Sequence, residues 1–235
     1  MQIFAQVVSI AIALVGIALF VRAIRQIISV VKVGQPTNRT DNLGARTMTM
    51  VKETLGHTRM LQWTWFGIGH WFVFVGFGLL FFTLVTAFGQ LFDPHFALPL
   101  IGEFFLWEWL TEAMTTLMLV AIVAFIVYRA TRPKDRTRGA KGRFWGSTMW
   151  QGYFVEAVIL LVGLCIAVLR GAEYAIADGD HQSAFHFPFS FWIGELLGGL
   201  SESTLFNLIY LTAMVKILVS FTWMITISLQ PTMGV

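Results

Sequence analysis

Charge is scarce in this chain. Asp, Glu, Lys and Arg make up 12% of its 235 residues, about half of the roughly 25% usual for soluble domains. A charged, solvated surface cannot be built from so few ionic side chains, which excludes an ordinary soluble globule. Cysteine is scarcer still. Cys165 stands alone, inside an apolar run, so the chain holds no internal disulfide, no C-x-x-C zinc site and no four-cysteine iron–sulfur site. Any iron–sulfur chemistry has to come from outside these residues. No internal repeat or low-complexity tract is visible. A transporter reading is weakened by that and by the few paired charges legible within apolar runs.

What is present is apolar bulk. Hydrophobic residues reach 57%, with 22 Phe and 9 Trp, and the mean hydropathy is +0.73. These are the marks of a polytopic membrane protein. A spanning helix needs roughly 20 mostly apolar residues, and five stretches qualify: about 3–28, 61–88, 105–129, 151–172 and 204–229. The first is expected to be a retained helix rather than a signal peptide, because Arg22 and Arg25 follow its apolar core and no small-residue cleavage site stands out. The fold class is therefore all-α, a five-helix transmembrane bundle forming one domain over residues 1–235.

The charges sort by side. Arg22, Arg25, Lys32, Arg39, Arg46, Lys52 and Arg59 surround the first connection, and Arg129, Arg132, Lys134, Arg136, Arg138, Lys141 and Arg143 the third, 14 of the 16 Lys and Arg in all. The other connections are acidic, with Asp93, Glu103, Glu108, Glu112, Glu173, Asp178, Asp180, Glu195 and Glu202. The positive-inside rule then places the N-terminus outside and the C-terminus in the cytoplasm. The basic runs serve as a topology signal or as a docking surface for a cytoplasmic partner. Trp107 and Trp109 on one side, and Trp145 and Trp150 on the other, fit an aromatic belt. The segment 187–200 is too short and Gly-broken to span; it lies flat on the outer face or covers a cavity.

An ionisable residue in a spanning helix is a functional hypothesis by default. His70 lies in "TWFGIGHWFVFVGFGLLFF", about ten residues into the second span and so roughly 15 Å below its boundary. Neutral imidazole is the inexpensive form there and also the form that ligates iron. Gly67, Gly69, Gly76 and Gly78 flank it and would admit a neighbouring helix or a flat macrocycle. Three roles stay open: haem ligand, packing histidine, or proton or quinone contact. His57 is a second axial candidate, about 20 Å away along one continuous helix, but thirteen helical steps put the two rings on nearly opposite faces. His95, His181 and His186 read as solvated loop residues. Lys216, mid-way along the fifth span, is a candidate contact for a haem propionate or a quinone oxygen. Glu112 and Trp107 in the outer half and Glu156 in the inner half are candidate quinone contacts. Met60, Met214 and Met224 are thioethers in apolar surroundings, where packing is the usual role.

The stretch "GIGHWFVFVGF" (67–77), the basic "RPKDRTRGAKGRFWG" and "MVKILVSFTW" resemble the nitrate reductase gamma-like cytochrome b domains, including the membrane domains of heterodisulfide-reductase-type iron–sulfur oxidoreductases. They are similar above all to the electron-transfer-flavoprotein dehydrogenase (ETF:menaquinone oxidoreductase) branch of bacterial fatty-acid oxidation. The resemblance implies a nitrate reductase gamma-like bundle in the bacterial cytoplasmic membrane. It implies an electron path from a cytoplasmic flavoprotein through [4Fe–4S] clusters and one or two haem b groups to menaquinone. His70 matches a haem-ligand position of that group and would hold the haem iron; His57 only approximates the second. No side chain is expected to act in bond-making catalysis. The group's partner histidines lie on the fifth helix or just after it, and "TLFNLIYLTAMVKILVSFTWMITISLQ" contains none. The resemblance therefore implies a partner histidine and a cluster domain past Val235, or else clusters supplied by a partner subunit without bis-histidine ligation of the haem. A haem-free membrane anchor that docks a redox enzyme through its basic loops is the alternative. Membrane lipid is an expected partner, and no feature points to nucleic acid.

Overall fold

The computed structural model describes residues 1–35, 41–131, 148–177 and 182–230. The basic run 132–147, with Trp145, and the loop residues Asp178, Asp180 and His181 lie outside the described residues, as does Arg39.

The described residues form α1 (Gln2–Lys32), α2 (Leu43–Thr54), a single 3₁₀ turn (Met60–Gln62), α3 (Thr64–Gln90), α4 (Phe105–Thr131), α5 (Met149–Ile176), α6 (Phe191–Leu197) and α7 (Glu202–Leu229), with no strand among them. Five of these helices, α1, α3, α4, α5 and α7, are long and apolar enough to cross a membrane. At 1.5 Å per residue each runs about 40 Å or more, so each has length to spare over a hydrocarbon core of about 30 Å.

The helices pack as α3 on α4, α4 on α5 and α5 on α7, with α7 also touching α1 and α3. Thus α7 is the central helix and α1 is peripheral. The residues that α1 buries are all small: Ala5, Ser9, Ala13, Gly16 and Ala23. Ala5, Ser9 and Ala13 repeat every fourth residue, the small-residue stripe that lets two spanning helices approach closely. A Cβ on Gly16 would come within 2.6 Å of the Phe221 ring of α7. The rest of α1, including Phe4, Val7 and Leu14, is exposed apolar surface, which only lipid or another apolar face can cover. Two apolar clusters fill the bundle. One joins Ala5 and Ala13 to Ala87, Leu169, Ala213 and Ile217; the other joins Leu80, Met118, Ile122 and Ile166.

Four of the five observed spans are longer than the apolar runs suggest, whereas α3 starts and ends later. The segment 55–63 is not helix continuing backwards but a fold-back loop. Trp63 breaks the helix at φ −99°, ψ 64°. The loop lies against α3: the Trp71 indole N–H donates to the Leu55 carbonyl at 3.0 Å, and a Cβ on Gly67 would strike the Met60 carbonyl oxygen and come 2.7 Å from Leu61 Cα. Gly67 is there because backbone crosses backbone at that point.

Candidate functional site

Two features stand out, one at each end of the bundle. For brevity they are called the basic end and the acidic end, after the connections they carry.

At the acidic end a cavity of about 380 Å³ opens between α3, α4, α5 and α7, within the range of small-molecule sites. Thr83 and Lys216 line its deep part; Trp107, Glu108, Glu173 and His95 line it toward the acidic connections; Phe187 covers one side. Lys216 is 1% exposed. Its ammonium donates to the Thr83 carbonyl at 2.7 Å and to Thr83 Oγ1 at 2.8 Å. Two of its three donors are thereby taken, leaving one for an occupant. Lys216 also lines a second, apolar cavity of about 150 Å³ with Phe77, Phe81, Met118 and Trp223, so its side chain stands between the two spaces.

The cavity wall includes a buried ionic network that the sequence reading missed, with Gln90, Glu108, Arg170 and Glu173 all lining it. Arg170 donates to Glu112 at 3.0 Å, to Glu173 at 2.7 Å and to the His186 carbonyl at 2.8 Å. Its guanidinium lies 4.2 Å over the Phe187 ring. Gln90 donates to Glu173 at 2.6 Å, and His186 Nδ1 meets Glu108 at 2.7 Å. The Glu112 carboxylate further accepts from the Ser190 hydroxyl at 2.6 Å and from the backbone N–H groups of Phe189 and Ser190 at 2.8 and 3.1 Å. Glu112 is thus fully engaged in tying the 187–197 segment to the bundle and does not line the cavity. Trp107 does line it. The segment 187–200 forms the short α6 and covers this end, with Gly194 against the Tyr174 ring. His186 is a hydrogen-bond partner of Glu108 rather than a solvated loop residue; His95 is exposed, with its ring edge-on to Phe206.

At the other end Glu156 is buried and pairs with Arg129 at 2.8 Å, while its Oε2 has no hydrogen-bond partner among the described residues. Gly152 provides the room: a Cβ there would sit 2.7 Å from Arg129 Nη1. Glu156 lines neither cavity. With the Arg170 network, the bundle holds more paired intramembrane charge than the sequence suggested.

The histidines meet at the basic end. His70 lies two turns inside α3, about 9 Å from its start rather than 15 Å, because the helix begins at Thr64. His57 is not on that helix. The fold-back loop carries it across, so the expectation of opposite faces and a 20 Å separation gives way to direct contact. His57 Nε2 lies 3.0 Å from His70 Nδ1, and His57 Nδ1 lies 2.7 Å from the Thr54 carbonyl. The His57 ring is 7% exposed and sits 4.7 Å, centroid to centroid, from Phe74.

Metal–nitrogen bonds run about 2.0–2.1 Å, so two imidazoles on opposite sides of one iron stand about 4 Å apart. A separation of 3.0 Å does not leave that space. His70 engages only its Nδ1 with a described residue, so His70 alone, rather than the pair, could serve as a ligand. Helices α3 and α7 run antiparallel, with Lys216 on Thr83 and Trp223 on Phe77; the same register sets Gln230 level with His70. No three His, Cys, Asp or Glu side chains come together as ligands for a bare ion among the described residues. Cys165 is buried and unpaired. Met60 is exposed in the fold-back loop, and Met214 and Met224 pack in the apolar interior.

No family model, curated protein or solved structure matches this chain, and the family resemblance rests on its short motifs alone.

Proposed function

We propose that this chain is a membrane electron-transfer domain that delivers electrons to a quinone of the menaquinone class. It takes them from a cytoplasmic iron–sulfur or flavoprotein donor, the electron-transfer flavoprotein in the resembled branch. In this reading the basic end faces the cytoplasm of a bacterial cell and the N-terminus lies outside. The membrane part is nitrate reductase gamma-like, with [4Fe–4S] clusters supplied by further chain or a partner subunit.

One observation carries the reading: a mid-helix ammonium, Lys216, at the floor of a cavity that opens between spanning helices. A charged side chain at the centre of a spanning helix costs roughly 2.5–3.5 kcal/mol on insertion scales, and the apolar packing around Lys216 does not require an ionisable group. A quinone head needs an apolar slot with a donor for a carbonyl oxygen, and the remaining N–H of Lys216 is such a donor. Trp107 and Phe187 supply flat apolar walls, and Glu108 and Glu173 add carboxylates to the lining.

His70 lies thirteen residues from Thr83 on α3, about 20 Å along the axis. It would supply one axial nitrogen to haem b, whose bound iron provides the one-electron chemistry. The chain's own residues hold that group, seat the quinone and exclude water.

The test is a dithionite-reduced minus oxidised visible spectrum of the protein with its redox partner, for the natural sequence and for His70→Ala. The expected result is a b-type α-band that His70→Ala abolishes. Absence of the band from the natural protein would favour the haem-free anchor, and an undiminished band in the variant would remove His70 as the ligand.

A further inference from the structure

We infer that His57 is a positioning residue: with the Thr54 carbonyl it fixes the tautomer of His70, so that His70 presents a bare Nε2 lone pair to a metal centre. The inference rests on the haem reading for the identity of that centre, while the tautomer follows from the geometry of two neutral rings.

The hydrogen bonds run in one direction. The Thr54 carbonyl can only accept, so His57 carries its proton on Nδ1 and donates it at 2.7 Å. A neutral His57 then has only a lone pair at Nε2. With both rings neutral, His70 Nδ1, 3.0 Å away, is then the donor. A neutral His70 with its proton on Nδ1 has an unprotonated Nε2, the form that binds a metal. Metal-binding histidines almost always donate their second N–H to an acceptor that fixes the ring and raises its basicity. Here the acceptor is a second imidazole, itself oriented by a helix-terminal carbonyl.

The local backbone is consistent with His57 being kept for its side chain. His57 has φ 50°, a left-handed conformation in which glycine is the relaxed residue. Its neighbour Gly56 cannot carry a Cβ, which would fall 2.5 Å from the Lys52 carbonyl oxygen. The turn that follows α2 thus places an imidazole where a glycine would cost less. The ring is buried against Phe74, one turn along α3 from His70. Trp71 and Gly67 hold the loop in place.

Two variants separate this role from ligation and from packing. His57→Phe keeps the apolar bulk against Phe74 and removes the acceptor. His57→Gln puts an amide oxygen close to the position of Nε2. In ¹⁵N-histidine NMR of the haem-free protein in lipid nanodiscs, the natural sequence and His57→Gln should show His70 protonated at Nδ1, and His57→Phe should move the proton toward Nε2. In the haem-loaded protein, His57→Phe should weaken haem retention roughly 10–100-fold and shift the midpoint potential upward, because a less basic imidazole stabilises ferric iron less. His57→Gln should restore both. A His70 protonated at Nε2 in the natural protein would overturn the inference. So would an unchanged potential and retention in His57→Phe, and loss of the α-band in His57→Gln would make His57 itself a ligand. If no haem binds at all, the functional reading fails while the NMR result still decides the tautomer.

Discussion

Lys216 and His70 are single polar atoms set into apolar helices, and each is explained by what it touches. Lys216 holds to Thr83 through two bonds and keeps one donor for the cavity. Replacing it with Met removes a buried cation without opening a large void, and such swaps are often neutral or stabilising. Lys216→Met is therefore expected to leave thermal stability unchanged or higher while weakening quinone use. A hydrogen bond from a charged donor contributes about 1.5–3 kcal/mol, which corresponds to a roughly 10–100-fold rise in KM for quinone, read by quinone-reductase kinetics. An unchanged KM with a lowered stability would assign Lys216 to structure alone. Both residues were legible in the sequence, because an ionisable side chain in an apolar run has few uses. Arg170 was not. It stands where the apolar run ends, so hydropathy reads it as a boundary, whereas α5 continues to Ile176. The i, i+3 pair of Arg170 with Glu173 was the available signal.

At the scale of elements, the start of α3 decides the histidine site. No capping side chain marks it, since Trp63 makes no cap hydrogen bond, and an apolar run beginning at residue 61 gives no hint of a break. This is why the meeting of His57 and His70 could not be read from spacing: helical azimuth applies only within one helix. Gly67 is the residue on which the fold-back depends. Gly67→Ala forces the loop away from α3, and overpacking of this kind costs about 1–3 kcal/mol. The expected outcome is a lowered unfolding temperature together with the same His70 tautomer change as His57→Phe, seen by NMR. A destabilised protein whose His70 tautomer is unaltered would uncouple the loop from the site. Gly152→Ala tests the other end in the same way. It crowds Arg129 and should weaken the pair with Glu156, lowering stability with no change at His70.

Across the whole molecule, the number and order of spans were legible because a bilayer requires long apolar runs, and only the ends shifted. The ionic links between helices were not legible, because hydropathy records charges one at a time and says nothing of partners. They tie α4 to α5 at both ends: Glu112 with Arg170, and Arg129 with Glu156. Arg170→Met strands Glu112 and Glu173 in the interior, and breaking a buried pair on one side typically costs about 3–5 kcal/mol. The double variant Glu112→Gln with Arg170→Met should regain part of that loss, measured by thermal unfolding in detergent. A double-variant loss equal to the sum of the losses in Arg170→Met and Glu112→Gln would show that the pair carries no coupling.

The two links also have opposite polarity. Each helix carries its carboxylate early and its guanidinium late, so the pairs form only when the helices run in opposite directions. Threading α5 into the membrane the wrong way round would set carboxylate beside carboxylate at one depth and guanidinium beside guanidinium at the other. The pairing therefore discriminates between the two threadings of this hairpin, attracting in one and repelling in the other.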